Sequence, residues 1–94
     1  MTTTQRIRSA CDDIADLLCA KNEAYGDSAL NPVGVFSKLD ATASLCARID
    51  DKLARISNRG LGDATEDTLD DLIGYLILLK LSRENTEKDV NLEQ

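Results

Sequence analysis

The sequence predicts an all-α fold, a compact three-helix domain with two long antiparallel helices and a further helix at the N-terminus. Apolar residues recur at helical spacing in three segments, and stretches with glycine or proline separate those segments. The sequence contains no strand-like alternation and no internal repeat. We therefore expect a single helical domain over residues 1–84 and a flexible polar tail over residues 85–94.

The first helix is predicted over about residues 5–23. Its apolar stripe, at steps of four, three and four, consists of Ile7, Cys11, Ile14 and Leu18. This spacing is the period of a half-buried helix. The following stretch, 25–37, contains Gly26 and Pro32 among small polar residues and predicts a long loop, a kind of segment that often carries function.

The second helix is predicted to start near Ser37 or Asp40 and to run to about Asn58, where Gly60 ends it. Its apolar stripe consists of Leu45, Ile49, Leu53 and Ile56.

The third helix is predicted to begin at a cap formed by Asp63 or Thr65 and to end near Arg83. The apolar residues in Leu72–Leu81 cover nearly every direction around this helix. Such a pattern fits the central helix of the domain. Because a short chain buries only a thin core, it also favours a homo-oligomer interface on part of this helix.

The composition disfavours several classes of function. The chain has 11 basic and 17 acidic residues, no histidine and a net charge of −6, which argues against sequence-independent binding to DNA, RNA or an anionic membrane. The apolar run Leu72–Leu79 is too short to cross a bilayer. Cys11, Cys19 and Cys46 lack CxxC spacing, so we expect reduced core thiols, no structural zinc and a cytoplasmic location.

Four cations are predicted to form a ridge along the second helix. They are Arg48, Lys52, Arg55 and Arg59, at positions i, i+4, i+7 and i+11. This ridge lies beside the apolar stripe, where it is well placed to bind phosphate oxygens. The alternative is that these cations neutralise Asp50, Asp51 and the acidic start of the third helix.

Two carboxylate pairs lie one turn apart on the third helix, Asp67 with Asp71 and Glu66 with Asp70. Either pair could hold a hard cation such as Mg²⁺. Glu66 and Asp67 are also explained without a metal, because acidic residues in a first turn stabilise the helix dipole. Asp71 lies deeper and needs a partner, and Lys52 or Arg55 is the expected counterion in the absence of a metal.

Tyr25 follows the predicted end of the first helix and directly precedes Gly26. Its ring could stack on a nucleobase, while the glycine lets the backbone approach a ligand closely. The alternative is a ring that packs over the helix end. Lys21 and Asn22 add a nearby cation and an amide that could read a base edge, and Phe36 is the second stacking candidate.

Three ordered motifs carry a resemblance to a known family. They are Lys21–Asp27 (KNEAYGD), Arg48–Arg55 (RIDDKLAR) and Glu66–Tyr75 (EDTLDDLIGY). Together they resemble the phage nucleotide-modification-associated domain 1 family, whose members look like KNxxYGD, RxxDKxxR and EDTxxDLxxY. The resemblance spans about residues 17–82. It implies a bacteriophage or prophage protein of the host cytoplasm that contacts nucleotides, with Arg48, Lys52 and Arg55 as first phosphate contacts.

The acidic helices are also similar to those of the all-α nucleoside triphosphate pyrophosphohydrolases, the MazG and dUTPase-like enzymes, which look like ExxE on one helix and ExxD on the next. This chain departs from that pattern. The second helix offers only the adjacent Asp50 and Asp51, which point about 100° apart, and ExxE is absent. We therefore assign no catalytic residue and no firm cofactor, with Mg²⁺ at Asp67 and Asp71 as the candidate.

The expected function is to bind or sequester a nucleotide, or a cyclic nucleotide that serves as a bacterial immune signal, without cleaving it. The expected ligand contacts are Lys21, Asn22, Tyr25, Gly26, Arg48, Lys52 and Arg55. The ligand is expected to lie between subunits of a homo-oligomer, which would make the protein an anti-defence factor. Two alternatives stay open: a Mg²⁺-dependent nucleotide pyrophosphohydrolase or modified-nucleotide processing factor, and a non-catalytic helical adaptor.

Overall fold

The computed structural model describes the backbone of residues 1–92 and the side chains of residues 1–84. Its helices are α1 (Thr3–Ala24), α2 (Ala41–Arg59) and α3 (Thr68–Leu92). The described backbone contains no strand, so the all-α class and the three-helix organisation are confirmed. In the described part of the chain, no helix combines the length and the apolar character that crossing a membrane requires.

The third helix is longer than predicted. It continues past the expected end at Arg83 to Leu92. The predicted tail, 85–94, is described only as backbone, and Glu93 and Gln94 lie outside the described residues. The polar composition that predicted a tail therefore does not end the helix, since residues 84–92 contain no glycine or proline that would stop it.

The central helix is α3, with α2 packed along it and α1 packed on it alone. Near the start of α2, the hydroxyl oxygens of Thr42 and Ser82 lie 2.9 Å apart. Further along, Lys52 Nζ lies 3.3 Å from Asp71 Oδ2. As residue numbers rise along α2, the residue numbers of the contacting partners on α3 fall. The two helices therefore run antiparallel, as predicted.

Local hydrogen bonds set the helix boundaries. Asp40 caps α2, since its Oδ1 accepts a hydrogen bond of 2.8 Å from the Ala43 amide. The prediction that Asp63 or Thr65 caps α3 is wrong. Asp67 fills that role, accepting a bond of 3.3 Å from the Asp70 amide.

The core is very small. Among the hydrophobic residues with described side chains, only Leu45 and Leu78 are buried, at 1% and 7% exposure. No residue of α1 is buried. The radius of gyration is 15.3 Å, whereas a compact domain of this length is expected to have about 12 Å. The chain is therefore less compact than an average domain of this length, with α3 continuing to Leu92.

Two predictions about burial along α1 and α2 also fail. Cys11, Cys19 and Cys46 are free thiols but are exposed rather than part of the core. Ile7, in the predicted apolar stripe, is 59% exposed, while Ile14 is half-buried. The reason is that α1 packs on α3 alone, so no described part of the chain covers its other sides.

Candidate functional site

A cleft of about 370 Å³ lies between α1 and the antiparallel pair of α2 and α3. Its volume is in the range typical of small-molecule sites. Gly74, Tyr75 and Leu78 of α3 line it, facing Leu18 of α1. Four of the predicted ligand contacts also line it: Lys21, Asn22, Tyr25 and Arg48. The structure thus brings together residues from the first and second motifs that the sequence separates.

Gly74 sets the spacing between α1 and α3 at this cleft. A Cβ added there would lie 3.3 Å from Leu18 Cδ1, closer than most side-chain contacts. The glycine therefore lets α1 lie near α3 at this point. Because α1 does not reach α2, the cleft remains open between them.

Asp71 ties all three helices together at the edge of the cleft. Lys21 Nζ of α1 donates a hydrogen bond of 2.8 Å to Asp71 Oδ1, and Lys52 Nζ of α2 lies 3.3 Å from Oδ2. Burial of the Asp71 carboxylate opposes its ionisation, but the two lysines outweigh this and hold its pKa below the usual range. Lys52 was a predicted counterion of Asp71, whereas Lys21 was not foreseen in that role.

The ion pairs continue from Lys52 to the segment before α3. Lys52 Nζ donates to Glu66 Oε1 at 2.8 Å. Arg55 Nε donates to Asp63 Oδ2 at 2.7 Å and lies 3.2 Å from Glu66 Oε1. The charges of Lys52 and Arg55 are therefore matched inside the protein by the acidic residues before α3. The acidic start of the third helix thus supplies partners as the alternative interpretation of the ridge expects, whereas Asp50 and Asp51 form no ion pair among the described residues.

Arg48 differs from the other ridge residues in its surroundings. Its guanidinium carbon lies 5.9 Å from the centroid of the Tyr75 ring, within the range of a cation–π contact. Within the described residues, no carboxylate lies within ion-pair distance of Arg48. A phosphate could therefore engage Arg48 without breaking an ion pair of the protein.

Tyr25 lies at the mouth of the cleft, where it is 74% exposed. The next two residues, Gly26 and Asp27, both adopt positive φ, of 61° and 64°, which glycine and aspartate tolerate best. The Asp27 carboxylate accepts hydrogen bonds from the side-chain amides of Asn22, at 3.2 Å, and Asn31, at 2.8 Å. Asp27 is therefore an organising residue that sequence reasoning missed, although the Gly-Asp pair after a helix end was its signal.

The hydrogen bonds and backbone of this turn also involve Asn22 and Gly26, two of the predicted ligand contacts. One N–H of the Asn22 side-chain amide donates to Asp27, which leaves its second N–H and its carbonyl oxygen for a base edge. Gly26 does not line the main cleft but a neighbouring, more open hollow beside Leu81. Both residues support the loop that carries Tyr25.

The carboxylates predicted to hold Mg²⁺ have other partners. Asp67 caps α3, and both oxygens of Asp71 face lysines. In residues 1–84, no three side chains of His, Cys, Asp or Glu lie close enough to share a metal ion. Asp70, which lines the cleft, has a raised pKa because it is partly buried and hydrogen-bonded to Asp67. A cation at Asp71 would have to compete with Lys21 and Lys52.

No protein-family model, curated protein or solved structure matches this chain. The resemblance to the phage family therefore rests on the three motifs alone.

We expect the protein to lose stability between about pH 4 and pH 2. Hydrogen bonds from the Thr65 hydroxyl and amide, with the charge of Arg55, lower the pKa of Asp63 from 3.8 to about 2. The pKa values of Glu66 and Asp71 are lowered as well. Since these groups bind protons more weakly in the folded chain, their stabilisation is complete above the unfolded pKa and is lost as the pH falls through the folded value.

Urea unfolding midpoints at pH 5, 3 and 2 measure this loss. Asp63→Asn removes one titrating group, so this variant should lose less between pH 5 and pH 2 than the parent does. A parent midpoint that stays constant over that interval would contradict the prediction.

Proposed function

We propose that the protein binds a nucleotide in the cleft between α1 and the α2–α3 pair and holds it without cleaving it. One observation carries the proposal. Arg48, a cation without a carboxylate partner among the described residues, lies beside the Tyr75 ring in a cleft of nucleotide size. The resemblance to the phage family supports the same ligand class.

The cleft offers distinct surfaces to the two parts of a nucleotide. Arg48 is the first phosphate contact, because its charge is available. Lys21 is the second, being half exposed beside Asp71, so a phosphate can compete for it. The apolar surface of Leu18 and Leu78 suits a sugar or base, and the exposed ring of Tyr25 can stack on a base at the mouth.

Binding without turnover is favoured by the surroundings of the carboxylates. Both oxygens of Asp71 face lysines, and Asp67 caps α3, so neither is set aside for a metal ion. In a phage protein, this would mean sequestering a nucleotide or a cyclic nucleotide signal from the host. The observation that favours the pyrophosphohydrolase alternative is Asp70, a carboxylate in the cleft next to Asp67.

Calorimetric titration with a nucleotide panel tests the proposal. The panel holds nucleoside mono-, di- and triphosphates and cyclic mono- and dinucleotides, each with Mg²⁺ and with EDTA, and the recovered ligand is weighed by mass spectrometry. We expect at least one member to bind, to be recovered intact and to bind equally in EDTA. Cleavage that requires Mg²⁺ would identify an enzyme, and no binding at millimolar concentration would favour the adaptor.

A matched pair of variants tests whether the nucleotide binds in the cleft. Arg48 lies in the cleft, whereas Arg59, on the same ridge, is exposed at the end of α2. Arg59→Ala should bind like the parent. Equal losses in Arg48→Ala and Arg59→Ala would show a diffuse effect of charge and would contradict a site in the cleft.

A further inference from the structure

One side of α3 is apolar and uncovered. Leu69, Leu76 and Ile77 are 46%, 48% and 37% exposed, and Ile73 among them is half-buried. Their spacing of i, i+4, i+7 and i+8 places these four residues, here called the outer face, on one side of the helix. The other directions are occupied, since Ser82 contacts α2 and Gly74 meets Leu18 of α1.

The surface of α2 carries a further exposed apolar side chain. Leu53 is 51% exposed. Its neighbour Lys52 reaches Asp71, so Leu53 lies at the level of the first turns of α3. It is turned about 100° away from Lys52 around α2.

The accessible surface of the chain is larger than the average for a monomer of its mass. It measures 7231 Å², whereas a monomer of 10.2 kDa is expected to expose about 5,300 Å². The excess is about 1,900 Å², and a stable protein interface removes about 800 Å² from each partner. The excess of total surface is thus larger than the area that one such interface removes from each partner.

The charges at the two ends of the outer face indicate what covers it. Asp70 lies beside its N-terminal end. At the C-terminal end lie Arg83, which has no ion-pair partner among the described residues, and Lys80, whose Nζ lies 3.0 Å from Glu84 Oε1. Within the described residues, no lysine or arginine nitrogen lies within 4 Å of the Asp70 carboxylate. An identical helix packed antiparallel, with its two-fold axis near Leu76, would bring the partner's Lys80 and Arg83 towards Asp70.

We propose that a second copy of this chain covers the outer face of α3, related by a two-fold axis, with Asp70 of each copy facing the basic end of the partner's α3. This interface does not depend on what the cleft binds. It borders the cleft, however, because Asp70 lines it. A basic residue of the second copy would then stand next to any ligand held there.

Sedimentation equilibrium at micromolar concentration tests the interface. The parent is expected to be a dimer, and Leu76→Lys, which places a charge at the centre of the outer face, should weaken association at least a hundredfold. Phe36→Lys is the matched control, because Phe36 is 100% exposed on the loop before α2 and should not affect association. A monomeric parent, or dissociation by Phe36→Lys alone, would overturn the proposal.

A charge exchange tests the antiparallel arrangement with substitutions at the rim, where folding is least affected. Asp70→Arg and Arg83→Asp should each weaken association about tenfold. Circular dichroism should show unchanged helix content in both. The double variant should recover most of the parent's association, and a double variant as weak as the single ones would refute the proposed pairing.

Discussion

Asp71→Ala is expected to lower the free energy of unfolding by about 1.5–3 kcal/mol, the largest effect on stability that we predict for a single side chain. The substitution leaves Lys52, whose side chain is only 16% exposed, with one carboxylate partner fewer. It also frees Lys21 from the ion pair that joins α1 to α3. Lys21 is half exposed, so that part of the loss is small. Urea unfolding followed by circular dichroism measures the change.

Asp70→Ala is the matched control. Both aspartates lie in the first turn of α3, so both substitutions remove the same favourable charge from the helix dipole. The pKa of Asp70, however, is raised. Among the described residues, no lysine or arginine lies within ion-pair distance of its carboxylate. In the Leu76→Lys background, where the proposed dimer is broken, its removal should change the free energy of unfolding by less than about 1 kcal/mol. Equal losses in the two variants would show that the ion pairs of Asp71 contribute nothing specific.

The second large effect concerns the ligand, and it separates phosphate from base. Arg48→Ala should weaken nucleotide binding by about 1.5–3 kcal/mol, roughly ten- to a hundredfold, because a charge-assisted contact is lost. The salt dependence of binding should flatten at the same time, since one fewer charge meets the phosphate. Titration of each variant at two salt concentrations gives both quantities.

Tyr25→Ala should weaken binding by about 1–3 kcal/mol without altering the salt dependence, because a stacked ring carries no charge. Tyr25→Phe keeps the ring and should bind nearly as well as the parent. Tyr25 is 74% exposed and Arg48 is also exposed, so both alanine variants should stay folded. If both bind as tightly as the parent, the cleft is not the site.

The sequence predicts phosphate contacts at Lys52 and Arg55 as well as at Arg48. Helical spacing correctly placed all three on one ridge, but it could not show which charges the protein neutralises itself. That depends on contacts between distant segments, such as Lys21 with Asp71, fifty positions apart in sequence. Lys52 and Arg55 stay predicted ligand contacts. To bind a phosphate, however, Lys52 would have to break its ion pairs with Glu66 and Asp71, and Arg55 its ion pair with Asp63.

The helix boundaries show a similar division between local and distant causes. Asp40 was a predicted start of α2 and does cap it, because capping depends on neighbouring residues alone. The start of α3 was predicted too early. Asp63 and Thr65 look like caps, but they bond to each other and to Arg55 of α2, so the helix begins only at Thr68. The low compactness of the chain could not be predicted from the sequence either. Apolar periodicity shows which side of α1 is apolar but not whether another helix covers that side.

The weak attachment of α1 has a consequence for dynamics. A helix of 22 residues with no buried side chain should open locally more often than α2 and α3, so its amide hydrogens should exchange with solvent sooner. A molecule held between α1 and α3 would add contacts to α1, the helix that makes the fewest contacts with the other two. Its binding should therefore register as slowed exchange along α1, and ordering this helix would draw on part of the binding free energy.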